Sequence, residues 1–350
     1  MGKLKKLTGY RLFLPLSCLI IVLLINLITT PTFFKITINN GVLYGYIIDV
    51  INRASELVVL AVGMTLVVSA SAGTDISVGA VMAVSAAVCT RVLAGGEVSV
   101  NEYANPYILA VLAALAVAVV CGGFNGFLVA KLKIQPMVAT LILFTAGRGI
   151  SQLVTNGQIT YIRVDGYKLL GNNIPGIPIP TPIFVAVIVV ALTYILLNKT
   201  AMGMYIQSVG INERASRLVG LKSVKIIWMA YAFCGLCAGI AGLVASSRIY
   251  SADANNIGLN MELDAIAAVA LGGNSLGGGR FSLLGSVIGA YTIQALTTTL
   301  YAMSVPADQI PVYKAIVVIL IVAVQSEELK KFRKRLASRH ASGNVEGGVA

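Results

Sequence analysis

The sequence predicts an all-α integral membrane protein of about ten transmembrane helices, several of them short or broken. Three observations predict it. Hydrophobic residues make up 57% of the 350 residues and charged residues 11%, and apolar runs long enough to cross the roughly 30 Å of hydrocarbon recur throughout. These runs are continuous rather than alternating, which argues against a transmembrane β-barrel. Of the 26 Lys and Arg, 17 fall in four places: Lys3 to Arg11, Lys131 with Lys133, Lys199 to Lys225, and Lys330 to Arg339. Such clustering is what the positive-inside rule expects of cytoplasmic segments, so the net charge of +12 reads as topology and not as a nucleic-acid signature.

The first span is 12–30, behind Lys3, Lys5, Lys6 and Arg11. This start is similar to a signal peptide, but the apolar run is long and no A-x-A site follows, so a retained span is expected. The periodic runs then give spans at 53–70, 76–94, 107–130, 136–155 and 182–198, followed by 226–247, 262–273, 282–304 and 310–325. An even count puts the basic ends, 1–11 and 327–350, in the cytoplasm on either side of a membrane domain at 12–326. Lys131, Lys133 and the loop 199–225 fall on the same side. Outside lie a long, partly ordered loop at 157–181 and shorter polar links at 101–106 and 251–256. The small, polar tail from Ala341 is expected to be disordered.

Two glycine-rich stretches, Gly73 to Gly79 and Gly272 to Arg280, interrupt the apolar pattern, and the span at 262–273 is too short to cross alone. Broken backbone at membrane depth needs protein or a water-filled cavity to satisfy it, and paired interruptions point to a transport pathway. The two stretches have the same orientation and a shared pattern that suggests an internal repeat. Asp75 and Ser77 either cap the helix expected from Ile76 or line a pathway for a polar substrate. Asn125 and Asn274 are further pathway candidates. Arg148, inside a span, requires a partner or a cavity. The small-residue runs Gly122 to Gly126 and Gly235 to Gly242 read as close helix packing. So do Cys18, Cys89, Cys121, Cys234 and Cys237, all within apolar runs. His340 is the only histidine, which excludes a histidine-based metal site.

The polar loop 199–225 reads as a docking piece. Asn212 can cap a short helix with Glu213 in its first turn, and Gly220 stands where that helix stops. Ile211, Ala215, Leu218 and Val219 make one apolar stripe, suited to a soluble partner protein or to lipid headgroups. The glycine-rich Leu271 to Arg280 lacks the G-K-[ST] of a P-loop, and no zincin motif, nucleophile elbow or dinucleotide fingerprint appears. Any ATP used must therefore be hydrolysed by a separate subunit.

Four stretches carry a family resemblance over most of 45–325: AGTDISVG (72–79), LKIQPMVATLILFTAGRG (132–149), TAMGMYIQSVGINERASRLVG (200–220) and LGGNSLGGGRF (271–281). Together they resemble the permease subunits of ribose/xylose/galactofuranose-type ABC sugar importers. SADANNIGLNMELDAIAAV (251–269) and TNGQI (155–159) are most similar to the galactofuranose type. The resemblance implies the ABC importer permease fold in a prokaryotic plasma membrane, with no cofactor of its own and no catalytic residue. It implies two permease subunits, identical or related, two cytoplasmic ATPase subunits and an extracytoplasmic sugar-binding protein. It places the ATPase-coupling region on Thr200, Gly203, Gly210, Asn212, Ala215 and Gly220, beside the apolar Leu218 and Val219. Ala72 and Thr74 depart from the family's usual glycine and aliphatic residue, and Ser216 replaces an alanine. The expected function is inward transport of a monosaccharide driven by the partner ATPase. The competing reading, a proton- or sodium-coupled transporter, needs a relay of intramembrane acids, for which Asp75 is the candidate.

Overall fold

The computed structural model describes residues 12–39 and 41–325; the basic start 1–11, the tail 327–350 and His340 lie outside the described residues. Ten helices fall at the ten expected spans. They are α1 (Phe13–Thr29), α2 (Tyr46–Ser71), α3 (Val78–Ala94), α4 (Tyr107–Ala130), α5 (Pro136–Val154) and α6 (Thr181–Lys199), then α9 (Ser223–Ile249), α10 (Met261–Leu271), α11 (Leu283–Ala302) and α12 (Ile310–Gln325). Two shorter helices, α7 (Met202–Ile211) and α8 (Glu213–Leu218), build the polar loop between α6 and α9. Six of the ten are long and apolar enough to cross a membrane: α2, α4, α5, α6, α9 and α11. With 11 residues, α10 reaches about 16 Å, roughly half the hydrocarbon thickness.

Several boundaries differ from expectation by a few residues, α9 for instance starting at Ser223 rather than 226, and two have a clear physical cause. The second span starts at Tyr46 rather than residue 53, because the polar first turns up to Arg53 continue the helix beyond the apolar run. The third starts at Val78 rather than Ile76, because the backbone at 72–77 is spent on a turn.

Helix α2 is the axis of the bundle. Of its most apolar stretch 89% is buried, against 22% for the peripheral α6. Around it pack α9, α11, α10 and α6, while α3 and α4 close on the far side of α9 and α5 lies on α3. Helices α4 and α9 touch backbone to backbone. A Cβ on Gly122 would stand 2.9 Å from the Cα of Gly235, so glycine is required at that crossing. All five cysteines are free, and Cys234 packs its backbone against Gly63.

The connections sort onto two faces. On one, the hairpin β1 (Thr37–Asn39) and β2 (Val42–Tyr44) joins the long loop, where the amide of Leu43 donates to the carbonyl of Pro178 at 3.1 Å. On that face β3 (Ser99–Val100), β4 (Thr160–Ile162) and β5 (Ser251–Ala252) form one sheet from three separate connections, β3 parallel and β5 antiparallel to β4. On the other, Lys133 pairs with Glu213, the amide of Gly279 donates to the carbonyl of Ser69 at 2.9 Å, and Gly73 abuts Pro136. A chain that crosses the bilayer alternately must group its links in this way.

Candidate functional site

The loop between α6 and α9 is built from its own backbone outward. The Thr200 hydroxyl accepts the amide of Met202 at 3.2 Å and donates to the carbonyl of Leu196, closing the turn into α7. A Cβ on Gly203 would collide with the carbonyl of Leu197. At the far end of α7, a Cβ on Gly210 would collide with the carbonyl of Ser69 and stand 2.6 Å from the amide of Gly279. Glycine at 210 thus lets α7 seat against both the end of α2 and the turn at 272–282.

Asn212 then caps α8, its Oδ1 accepting the amide of Ala215 at 3.0 Å, and Gly220 ends the motif at φ +86°. The inward side of α8 is polar. Ser216 is buried, and the Glu213 carboxylate accepts from Lys133, Arg217 and the Ser223 hydroxyl. Partial burial pushes the Glu213 carboxyl up, but these three donors outweigh it and hold the group below its ordinary range. The outward side is apolar. Ile211 and Ala215 are exposed, Leu218 is 89% exposed and Val219 78%. Among the described residues, nothing of this chain covers that strip. Sequence reading finds the strip and the caps; it misses the Glu213–Lys133–Ser223 brace, since those residues are far apart in the chain.

The four pathway candidates separate into a group of three and a single residue. In the turn before α3, Asp75 Oδ1 accepts from the amide of Ser77 at 2.9 Å and from its hydroxyl at 2.7 Å. The Asn125 side-chain amide donates to Ser77 Oγ at 2.8 Å, and Thr140 accepts the amide of Ile76 at 3.1 Å. Asp75 thus closes the turn that leads into α3, three residues before the helix begins, and the N-cap residue Ser77 makes no side-chain cap bond. Asp75, Ser77 and Asn125 are all buried, and Asn125 Oδ1 and Thr74 Oγ1 have no hydrogen-bond partner. Asn274 lies apart in the second turn. Its amide donates to the carbonyl of Val269 at 2.9 Å and to Ser286 Oγ at 2.7 Å, and its oxygen accepts from the amide of Ser282. Those contacts make it the bracket of the break between α10 and α11.

Arg148 finds backbone partners through one nitrogen, Nη1, which donates to the carbonyls of Ala254 at 3.0 Å and Ile257 at 2.6 Å, while its buried Nη2 has none. Two further charged pairs cross the bundle, Glu56–Arg248 at 2.9 Å and Asp264–Lys314 at 2.7 Å. Glu56 sits inside the second apolar run, a signal that sequence reading passes over; its pairing with Arg248 ties α2 to α9.

The model of the branched-chain amino acid transport system permease component family matches residues 46–325. The galactofuranose transporter permease of Escherichia coli K12 is 43% identical over 327 residues, covering 93% of this chain and 92% of that one. The fructose import permease of Bifidobacterium longum is 37% identical over 346 residues, covering 96% and 94%. The ribose import permease of Escherichia coli K12 is 35% identical over 318 residues, covering 89% and 93%. No solved structure matches. A ten-segment bundle with two broken helices and a braced polar loop agrees with these matches, and the chain belongs to this permease-component family, with the ribose- and galactofuranose-type sugar importers among its relatives.

Proposed function

We propose that this chain is the membrane-spanning subunit of an importer that carries a monosaccharide, galactofuranose- or ribose-like, into the cell at the expense of ATP hydrolysed elsewhere. It has no catalytic site or cofactor of its own. The observation that carries the reading is the strip Ala215, Leu218 and Val219, held out from the bundle on a braced helix. A cytoplasmic ATPase subunit covers it, which sets both chain ends and the loop on the cytoplasmic side of the plasma membrane. A second permease, the same or related, completes the pathway, and a solute-binding protein delivers the sugar to the face bearing the three-stranded sheet.

Force enters at α8. Because α7 is seated on the ends of α2 and the 272–282 turn, a displacement of α8 is passed to the central helix and to the break before α11. The Asp75–Ser77–Asn125 cluster offers unspent hydrogen-bonding capacity to a hydroxyl-rich substrate, whereas Asn274 has spent its own. The relatives named for galactofuranose, fructose and ribose support the substrate class.

Affinity purification of the tagged chain from native membranes tests this. An ATPase and a solute-binding protein are expected to co-purify, and the binding protein then identifies the sugar by screening. Uptake by the chain alone, abolished by an ionophore, would instead establish ion-coupled transport.

A further inference from the structure

Below the glycine crossing of α4 and α9, at the end nearest the polar loop, a cavity of about 390 Å³ lies open between the two helices. Its lining pairs two kinds of chemistry. Phe127 and Trp228 form an apolar floor, and Lys131, Lys222 and Lys225 stand around it. No carboxylate lines the cavity, and among the described residues none of the three lysines has an ion-pair partner. The neighbouring Lys133, by contrast, is committed to Glu213. The Trp228 ring lies against Gly123, where an added Cβ would be 3.3 Å from it, and Trp228 is still 42% exposed. From the crevice, Phe127, Phe124 and Val120 continue along one exposed face of α4 toward the middle of the membrane.

We propose that this crevice binds an anionic phospholipid, its phosphate among Lys131, Lys222 and Lys225 and one acyl chain along α4. Three arguments select that occupant. Three lysines that line one cavity with no carboxylate among them call for an external anion, and a phosphate satisfies several ammonium groups at once. Lysines at the mouth of an apolar groove beside a tryptophan match the headgroup level of a bilayer, where indole rings prefer to sit. Basic pockets between spans at that level have the chemistry for anionic headgroups. Since Lys222 and Lys225 flank the start of α9 and Ser223 braces Glu213, a lipid here also steadies the base of the polar loop.

Trp228 is the only tryptophan in the chain, so its fluorescence reports this site. The full-length chain is reconstituted in phosphatidylethanolamine vesicles, and brominated phosphatidylglycerol or brominated phosphatidylcholine is titrated in as quencher. The anionic lipid is expected to quench at a mole fraction roughly fivefold lower than the zwitterionic one, an effect weakened by salt. Lys131→Gln, Lys222→Gln and Lys225→Gln are each expected to cut that preference about twofold, and together to abolish it. Lys199→Gln, on the same face but outside the crevice, leaves it intact. Equal quenching by the two lipids overturns the proposal. So does a preference that the triple variant keeps, or one that Lys199→Gln reduces as much as the crevice variants. An unchanged preference accompanied by loss of ATPase co-purification in the triple variant would assign the lysines to the protein partner instead. The quenching measurement itself contains neither ATPase nor sugar, so its result stands apart from the transport reading.

Discussion

Ser216 and Leu218 are two residues apart in one short helix and end at opposite extremes, 4% and 89% exposed. The inward side of α8 holds to its own chain through Ser216, Glu213 and Arg217, while the outward side presents Ala215, Leu218 and Val219. Exposed leucines on the spans, such as Leu153 on α5, are explained by lipid. Leu218 is different, because it stands among Arg214, Arg217 and Lys222 in a polar loop. Leaving such a side chain in water forgoes about 1.5–3 kcal/mol of burial. The contrast shows a helix stiffened from beneath so that its apolar side stays available to another protein.

Three substitutions test the inner side of α8 and the supports beneath it, in falling order of effect. Gly210→Val forces a side chain into the carbonyl of Ser69 and the amide of Gly279, and should cost on the order of 3 kcal/mol or more. Thermal unfolding in detergent would show it as a large loss of folded protein. Glu213→Gln removes charge from the Lys133 and Arg217 contacts but keeps an acceptor for Ser223, at about 1 kcal/mol or less since the pair is partly exposed. Because the Glu213 carboxyl is held below its ordinary range, the brace is present above the unfolded value and lost as pH falls through the depressed folded one. Loop opening followed by hydrogen exchange should therefore rise only in acid, and the Gln variant should lose that pH dependence. Ala72→Gly has the smallest effect and the opposite sign. Ala72 ends α2 in the left-handed region at φ +53°, so glycine should stabilise by up to about 1 kcal/mol, read as a small rise in the unfolding temperature.

That same φ explains a feature the sequence shows without a reason. The family resemblance marks Ala72 as standing where glycine is usual, and the structure supplies the left-handed turn that favours glycine there. The long helices are legible because their apolar runs are continuous, and Asn212 and Gly220 because capping chemistry is local. What stays hidden is non-local. The sheet of β3, β4 and β5 draws two or three residues from each of three distant loops, too few for a strand pattern to register. The meeting of Asp75 with Asn125, and of Asn274 with Ser286, likewise depends on how helices pack. Residue types alone grouped Asn274 with the pathway candidates; geometry shows its side chain occupied at both ends.

The outward side of α8 is probed by Ala215→Arg. The position is exposed and its amide, not its side chain, makes the contact with Asn212, so the variant should insert and fold as the parent does. Sugar uptake and ATP hydrolysis are measured together in proteoliposomes holding the complete importer. Uptake should be lost while hydrolysis is no longer tied to sugar. Normal ATP-driven uptake by Ala215→Arg would contradict the entry of force at α8.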